Sequence, residues 1–238
     1  MCPPLTARTT APGYDRFVPL LAAVVFDFDG VILDSETPEY ESHRRIFAQC
    51  GVPLTVEEWC DQIGVWVEHH EQRWHARLCE RSAHAPDWPA FEAEKHRLFQ
   101  ELVPPAPMRG IVDLLDALAA GGVPLAIAST APARWVVAAA ERIGVRDRFH
   151  AIITLHDVQR RKPAPDAYLE ATRRIGVDPA RSVAIEDSGP GIASARAAGL
   201  KTVAVPHWLT EGHDLAAADL RVAHAGEITL EVLEGLIR

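Results

Sequence analysis

The chain has 238 residues, and 48% of them are hydrophobic, which is enough for an ordinary globular core. Its 33 acidic residues outnumber its 24 basic ones and give a formal net charge of −9. This charge argues against nucleic acid as a partner, because binding to a phosphate backbone relies on clustered basic residues. No stretch approaches the roughly 18 apolar residues of a membrane-spanning helix, and the four cysteines form no CxxC pair. We therefore predict a cytoplasmic protein that binds no membrane and is a monomer or a weak dimer.

In chain order, residues 1–19 are rich in Pro, Thr and Ala, and we expect them to form a disordered leader. Apolar runs then alternate with amphipathic helical patterns. The predicted strands are 20–26, 123–128, 151–154, 182–185 and 202–205. The predicted helices between them are 111–120, 132–143, 166–175 and 191–198. Continuous apolar strands separated by helices predict an α/β fold, in which a Rossmann-like parallel sheet carries helices on both faces.

Residues 35–108 interrupt that alternation, because they carry helix signals and no convincing strand pattern. Three helix-start signals occur in this segment: Thr37-Pro38, a capping box from Thr55 to Glu58, and Asp87-Trp88-Pro89. We therefore predict an α/β core made of residues 20–34 and 109–238. An all-helical cap domain, residues 35–108, is inserted after its first strand.

Two pairs of carboxylates follow predicted strands. Asp27 and Asp29 come directly after the first strand, and Glu186 and Asp187 follow a later one. In an open parallel sheet, residues just past the carboxyl ends of the strands face the ligand crevice. Carboxylates brought together repel unless a cation or a shared proton relieves them, so these pairs suit a divalent metal ion or acid–base chemistry. The alternative is a pair of solvated turns, since Asp and Gly are common turn residues.

Two further strand ends carry groups that suit a phosphate. Ser129 and Thr130 end a predicted strand just before a helix, whose N-terminal N–H groups can bind an anion; an ordinary helix cap is the alternative. Lys162 is one of only three lysines among 24 basic residues. Its place beside two arginines indicates that a compact ammonium is needed at this position. The alternative is that a lysine occurs by chance in a solvated basic loop. Together the strand ends offer the groups that move a phosphoryl group through an aspartyl phosphate.

These segments resemble the four motifs of the haloacid dehalogenase-like (HAD) superfamily. The matching segments, in chain order, are VVFDFDGVILDSE, AIAST, RKPAPD and AIEDSGPGI. The helical insert resembles the cap of that superfamily. DGVILDSE and KPAPD resemble its branch of β-phosphoglucomutases and sugar-phosphate phosphatases. The resemblance implies a phosphoric monoester hydrolase that acts on a small phosphorylated metabolite.

The resemblance also implies a role for each motif residue. Asp27 is the nucleophile that attacks phosphorus. Asp29 protonates the leaving oxygen and then deprotonates the water that hydrolyses the aspartyl phosphate. Ser129, the Thr130 backbone and Lys162 bind the phosphoryl group.

The resemblance implies Mg²⁺ as the cofactor. Its ligands are Asp27, the backbone carbonyl of Asp29, and Asp187, with Glu186 binding the ion directly or through a ligand. The candidate substrate contacts in the cap are Glu36 and Trp66.

Phosphatase and mutase remain the two main alternatives. The mutase carries a histidine five residues after the aspartate that ends DGVxxD, whereas this chain has Glu39 five residues after Asp34. The mutase also has an arginine shortly after a cap glycine to hold a distal phosphate, and this chain has no such arginine after Gly64. These departures favour the phosphatase. A non-catalytic binding protein on the same fold is a further alternative, against which the intact acidic and lysine positions argue.

Overall fold

The structure, a computed structural model, describes residues 20–60 and 70–238, the side chain of His70 excepted. The predicted leader at 1–19 lies outside the described residues. The strands are β1 (Ala23–Phe26), β2 (Leu125–Ala128), β3 (Ala151–Ile153), β4 (Ser182–Glu186), β5 (Lys201–Ala204) and β6 (Leu220–Arg221). The helices that follow β1 are α1 (Glu36–Gln49), α2 (Val56–Cys60), α3 (His70–Arg81) and α4 (Trp88–Leu102). The remaining helices are α5 (Ile111–Ala120), α6 (Ala133–Arg142), α7 (Asp166–Ile175), α8 (Gly189–Ala197) and α9 (Leu230–Ile237).

The six strands form one parallel sheet in the order β3-β2-β1-β4-β5-β6. Alternate side chains of β1 enter two different apolar clusters, because successive residues of a strand point to opposite faces. Val24 and Phe26 pack with residues of α5, α6 and α9, whereas Val25 packs with residues of α7 and α8. The predicted Rossmann-like α/β fold, with helices on both faces of a parallel sheet, is confirmed.

The sheet differs from the prediction in small ways. β1 begins at Ala23 rather than at residue 20, and α8 begins at Gly189 rather than at residue 191. β6 and α9 were not predicted. β6 has only two residues, too few for an alternating pattern, and α9 is an eight-residue helix that carries Gly235, a poor helix former.

Helices α1 to α4 form the helical cap between β1 and β2, around a second apolar cluster that includes Trp59, Trp74 and Phe91. Two of the three helix-start predictions are confirmed. Thr55 and Glu58 exchange the two bonds of a capping box. Asp87 accepts a hydrogen bond from the Ala90 amide at 3.0 Å at the start of α4.

The third helix-start prediction was wrong by two residues. Helix α1 begins at Glu36, after Ser35, and not at Pro38. The Asp34 carboxylate accepts the Thr37 amide at 2.9 Å, so a side chain before the helix, and not that of Thr37, satisfies an amide of its first turn. Pro38 still lies in the first turn, where its missing N–H removes no helical bond.

A loop of the core, residues 206–213, reaches the cap. Its Leu209 is 1% exposed and belongs to the apolar cluster of the cap, together with Tyr40 and Trp59. The His213 ring lies 3.5 Å from the carbonyl oxygen of Cys60. The core therefore contributes an apolar side chain to the interior of the cap. Within the described residues, no helix combines the length and the apolar composition that crossing a bilayer requires.

Candidate active site

The register of the sheet brings three strand ends together. Phe26, the last residue of β1, lies opposite Ile127 of β2 on one side and Ile185 of β4 on the other. Because the three strands are parallel, the residues that follow them meet at one edge of the sheet. The predicted site residues Asp27 and Asp187 therefore occupy neighbouring positions at this edge.

Lys162 bridges two of the acidic residues. Its Nζ atom lies 2.6 Å from Asp27 Oδ1 and 2.6 Å from Glu186 Oε1. The side chain of Lys162 is 8% exposed and that of Glu186 is fully buried. Burial raises the pKa of Asp27 to about 7, although Lys162 opposes this rise. Burial also disfavours the charged form of Lys162, but the two carboxylates outweigh it and hold the pKa of the ammonium above its ordinary value.

Glu186 is held by its own surroundings. Its Oε1 accepts the Tyr168 hydroxyl at 2.7 Å. Its Oε2 accepts the backbone amides of Asp187 and Ser188 at 3.1 and 3.3 Å. A Cβ atom at Gly191 would lie 2.0 Å from the carboxylate, so only glycine allows α8 to come this close. Glu186 is thus a fixed negative charge whose oxygens already have donors.

Asp29 has a different environment. Its Oδ1 accepts the Ser35 hydroxyl at 2.6 Å and the Trp135 indole N–H at 2.8 Å, and its Oδ2 lies 3.5 Å from the Ser129 hydroxyl. Burial raises the pKa of Asp29, and the Ser35 and Trp135 bonds offset part of that rise. A buried carboxyl with one oxygen oriented by neutral donors suits a group that gives and takes a proton at its other oxygen.

Ser129 and Thr130 lie where the sequence predicts, between β2 and α6. The Ser129 hydroxyl is buried and accepts the Ala131 amide at 3.0 Å. The carbonyl oxygen of Thr130 accepts a bond from the Arg161 guanidinium at 3.3 Å. This turn therefore lies beside Asp29 and in contact with the loop that carries Lys162.

Asp187 completes an acidic cluster that fits a divalent cation. Ligand oxygens of Asp27, Glu186 and Asp187 all lie within 4.8 Å of one another. Asp187 accepts a hydrogen bond from the Thr210 hydroxyl at 3.2 Å. Burial, and after it the negative charge of Glu186, raises the pKa of Asp187 well above its ordinary value. A Cβ atom at Gly30 would lie 2.6 Å from Asp187 Oδ2, so the backbone leaves this carboxylate little room. Three carboxylates face one lysine here, and carboxylate oxygens are hard donors that suit Mg²⁺.

Glu36, a predicted substrate contact, lies at the start of α1. Its pKa is raised to about 8, first by burial and then by the charges of Asp29, Glu39 and Asp27. Its own charge in turn raises the pKa of Asp187. Glu36 is therefore close to the acidic edge of the sheet. Trp66, the other predicted substrate contact, lies outside the described residues.

One helical turn farther along α1, the cap holds a second charged cluster. Lys95 Nζ lies 2.7 Å from Glu39 and 2.8 Å from Glu71. The buried His43 ring approaches Glu71 at 3.1 Å and the carbonyl oxygen of Glu39 at 2.8 Å. Burial disfavours the charged form of Lys95, but Glu39 and Glu71 outweigh it and keep its pKa above the ordinary value.

The segment that joins β1 to the cap is tied to the loop at 206–213. The buried His207 ring lies 3.1 Å from Asp34 Oδ1 and 3.3 Å from the Thr37 hydroxyl. The Trp208 indole donates to that hydroxyl at 2.8 Å. Burial would raise the pKa of Asp34, but the bonds from His207 and Thr37 lower it.

Several residues around the site were not predicted from the sequence. Ser35 lies within the segment VVFDFDGVILDSE but was given no role. The others reach the site from separate elements and follow no local motif: Glu71, Lys95, Trp135, Tyr168, His207 and Thr210. One signal could have pointed to Lys95. Lysine is scarce in this chain, and the argument that singled out Lys162 for that reason applies equally to Lys95.

A sequence profile described as haloacid dehalogenase-like hydrolase matches residues 24–205. The phosphorylated carbohydrates phosphatase of Thermotoga maritima is 29% identical over 222 residues, which cover 91% of this chain and 100% of that protein. The beta-phosphoglucomutase of Bacillus subtilis is 29% identical over 224 residues, which cover 90% of this chain and 94% of that protein. Among solved structures, a CbbY mutant from Rhodobacter sphaeroides in complex with xylulose-(1,5)bisphosphate aligns with a TM-score of 0.71 and 27% identity, covering 90% of this chain and 99% of that one.

Proposed function

Since this chain belongs to the haloacid dehalogenase-like hydrolase family, we propose that it is a Mg²⁺-dependent phosphatase of a small phosphorylated metabolite, of the sugar-phosphate class, and that it works through a phosphorylated Asp27. The observation that carries the proposal is the pair of aspartates, two residues apart, that lie in different environments. Asp27 is bonded to Lys162, whereas Asp29 is bonded to neutral donors. Such a pair separates a nucleophile from an acid and base.

In the first step, a carboxylate oxygen of Asp27 attacks phosphorus while the bond from phosphorus to the ester oxygen breaks. Asp29 gives its proton to that leaving oxygen. Lys162 keeps Asp27 oriented through Oδ1 and lowers the repulsion between the carboxylate and the phosphoryl oxygens. The Ser129 hydroxyl and the backbone at Thr130 bind the phosphoryl oxygens from the end of β2.

In the second step, water attacks the phosphorus of the aspartyl phosphate. Asp29, now a carboxylate, takes a proton from this water, and the bond from phosphorus to Asp27 breaks. Inorganic phosphate leaves, and both aspartates return to their starting states. Because Ser35 and Trp135 both donate to Oδ1 of Asp29, the other oxygen, Oδ2, gives and takes the proton.

Mg²⁺ fits the acidic cluster, where Asp27, Asp187 and the Asp29 carbonyl would hold it and it would supply positive charge to the phosphoryl group. Glu186 has hydrogen-bond donors on both of its oxygens, so we assign it chiefly to positioning Lys162. The relatives support the substrate class, since one of them is named as a phosphatase of phosphorylated carbohydrates.

The second candidate, a β-phosphoglucomutase, is supported by the Bacillus subtilis relative of that name. Glu39 stands where that enzyme has a histidine, and its carboxylate is paired with Lys95 at 2.7 Å. A carboxylate held by a lysine is a poor substitute for a titrating imidazole. The hydrolase is therefore the better proposal.

The test is release of inorganic phosphate from a panel of sugar, polyol and nucleotide monophosphates, with and without EDTA. We expect Asp27→Asn to lower kcat by at least about a thousandfold, as removal of a nucleophile does. Asp116→Asn is the matched control, because Asp116 is exposed and pairs with Arg148. Acid-quenched wild-type enzyme should carry a phosphoryl group on the peptide that contains Asp27.

Two results would contradict the proposal. The first is phosphate release that persists in Asp27→Asn or in EDTA. The second is conversion of β-glucose 1-phosphate to glucose 6-phosphate, primed by a bisphosphate, without net release of phosphate, which would favour the mutase.

A further inference from the structure

The Asp187 carboxylate is oriented by a side chain from a distant loop. The Thr210 hydroxyl lies 3.2 Å from Asp187 Oδ2, and Thr210 is fully buried. The backbone of Gly30 approaches the same oxygen from another direction, since a Cβ atom there would come within 2.6 Å of it. A carboxylate oxygen confined in this way has little freedom to turn. Thr210 therefore helps to set the direction of a side chain that belongs to the acidic cluster.

The Thr210 hydroxyl has one proton and two acceptors within reach. The carbonyl oxygen of His207 also lies at 3.2 Å, but it already accepts the Thr210 amide at 2.9 Å. The hydroxyl oxygen itself accepts the His207 amide at 3.0 Å. A hydrogen bond to an ionised carboxylate is stronger than one to a neutral carbonyl, and a metal ion binds the ionised form. The proton of Thr210 therefore goes to ionised Asp187.

The loop that carries Thr210 is anchored in the cap by the two residues before it. Leu209 is 1% exposed inside the apolar cluster of the cap. The Trp208 indole donates to the Thr37 hydroxyl at 2.8 Å, and its ring packs edge-on against Tyr40 with centroids 6.1 Å apart. Three consecutive residues thus join the cap to the acidic cluster. A loosening of the cap contacts would be felt by the metal-binding carboxylate.

We propose that Thr210 is a positioning residue for Asp187, and that its loop makes the Mg²⁺ affinity of the core depend on the cap. This inference rests on the proposed function, in which Asp187 is a ligand of Mg²⁺. A group that hydrogen-bonds to a ligating carboxylate orients it, and loss of such a partner typically weakens metal binding by about tenfold to a hundredfold.

The experiment measures the Kd of Mg²⁺ by isothermal titration calorimetry on the full chain without substrate, so that affinity is separate from turnover. Thr210→Val keeps the shape of the side chain and removes the donor, and it should raise the Kd by about tenfold or more. Thr210→Ser keeps the hydroxyl and should stay within about threefold of the wild-type Kd. Thr202→Val is the matched control, because Thr202 is also buried and donates to a carboxylate, that of Asp219, at 3.0 Å.

A kinetic readout distinguishes positioning from a general loss of structure. In hydrolysis of p-nitrophenyl phosphate, Thr210→Val should raise the Mg²⁺ concentration that gives half the maximal rate by the same factor as the Kd. At saturating Mg²⁺, its kcat should fall by less than about threefold. A damaged fold would instead lower kcat at every concentration of the metal.

The dependence on the cap is tested by two leucines of the same apolar cluster. Leu209→Ala leaves Thr210 in place but removes the anchor of its loop, so it should weaken Mg²⁺ binding by about fivefold or more. Leu78→Ala is the matched control, because Leu78 of α3 is fully buried in that cluster. Both variants leave a cavity in the cap, so a difference between them reports on the loop.

A wild-type Kd in Thr210→Val, or a Kd in Thr210→Ser as high as that of the valine variant, would overturn the role of Thr210. Equal Mg²⁺ affinities of Leu209→Ala and Leu78→Ala would overturn the dependence on the cap. A wild-type protein that binds no Mg²⁺ and hydrolyses no ester would instead contradict the proposed function, so the failures are distinguishable.

Discussion

Two lysines of this molecule each bridge a pair of carboxylates, one in the core and one in the cap, at almost the same distances. Lys162 lies 2.6 Å from both of its partners, and Lys95 lies 2.7 and 2.8 Å from its partners. The core bridge is nearly closed to water, because the Lys162 side chain is 8% exposed and one partner is fully buried. The cap bridge is wetter, with Lys95 at 18% and Glu71 at 37%.

The difference lies in what surrounds each bridge. In the core, Glu186 is held by contacts other than the one with Lys162. A backbone amide and a tyrosine hydroxyl donate to it, and a glycine lies in close contact with it. In the cap, side chains from three helices meet with fewer fixed donors. The same arrangement of charges is thus held by fixed donors in the core and mainly by other side chains in the cap.

The largest contrast is expected when each lysine is removed. Lys162→Met should lower kcat by about a hundredfold or more, because the ammonium contacts the nucleophile in a site that excludes water. Lys95→Met should change kcat/KM by about tenfold or less, mostly through KM, because it does not contact the reacting atoms. Phosphate-release kinetics of the two variants side by side would test this, and equal losses in kcat would contradict it.

The next effect concerns the glycine that lets α8 approach the core bridge. Gly191→Ala places a Cβ atom 2.0 Å from the Glu186 carboxylate, so we expect the free energy of unfolding to fall by about 1–3 kcal/mol, as overpacking does. Activity should fall as well, because Glu186 must move. Gly235→Ala in α9 is the control, since a Cβ atom there meets nothing within 4 Å. It should stabilise the protein by up to about 1 kcal/mol. Urea unfolding measures both.

The next effect concerns the pH dependence of stability, through the buried carboxyl of Glu36. The pKa of Glu36 is raised from 4.5 to about 8 in the folded protein, so the folded state keeps a proton that the unfolded state releases between these values. Stability of the metal-free protein should therefore fall as the pH rises from 5 to 8. Glu36→Gln should weaken this dependence and Glu41→Gln should not. Unfolding in urea with EDTA at both pH values would show it, and an unchanged slope in Glu36→Gln would contradict it.

The smallest effect is expected at the start of the helix that carries Lys95. Asp87 accepts the Ala90 amide at 3.0 Å, so Asp87→Ala should cost about 1 kcal/mol of stability while Asp87→Asn costs less, since asparagine is also a good cap. Both variants should hydrolyse p-nitrophenyl phosphate normally. Urea unfolding would measure the loss, and an Asp87→Ala variant as stable as the wild-type protein would contradict it.

The comparison of the bridges also explains what the sequence could reveal. The parallel sheet and the meeting of Asp27 with Asp187 were predictable, because alternating strands and helices place the strand ends at one edge. Trp135 and Tyr168 were not, since each reaches the site from a helix by tertiary packing. The capping box from Thr55 to Glu58 was predictable because four consecutive residues contain it.

The cap bridge had no comparable pattern. Glu39, Glu71 and Lys95 are far apart in the chain, and only the packing of α1, α3 and α4 brings them together. The start of α1 was misplaced for a similar reason. The sequence marks Thr37 as a capping residue, whereas Asp34, which is also tied to His207, takes the Thr37 amide.

Because of Leu209, the cap is harder to exchange for another cap than its position as one continuous segment of the chain implies. It comes from the loop at 206–213, yet it lies at 1% exposure inside the apolar cluster of the cap. A chimera that exchanged residues 35–108 alone would leave this leucine facing a foreign interior, with a cavity or a clash as the result. Grafting a different cap onto this core would thus require moving two separate pieces of chain together. The same two pieces would be expected to change in concert as such enzymes diverge.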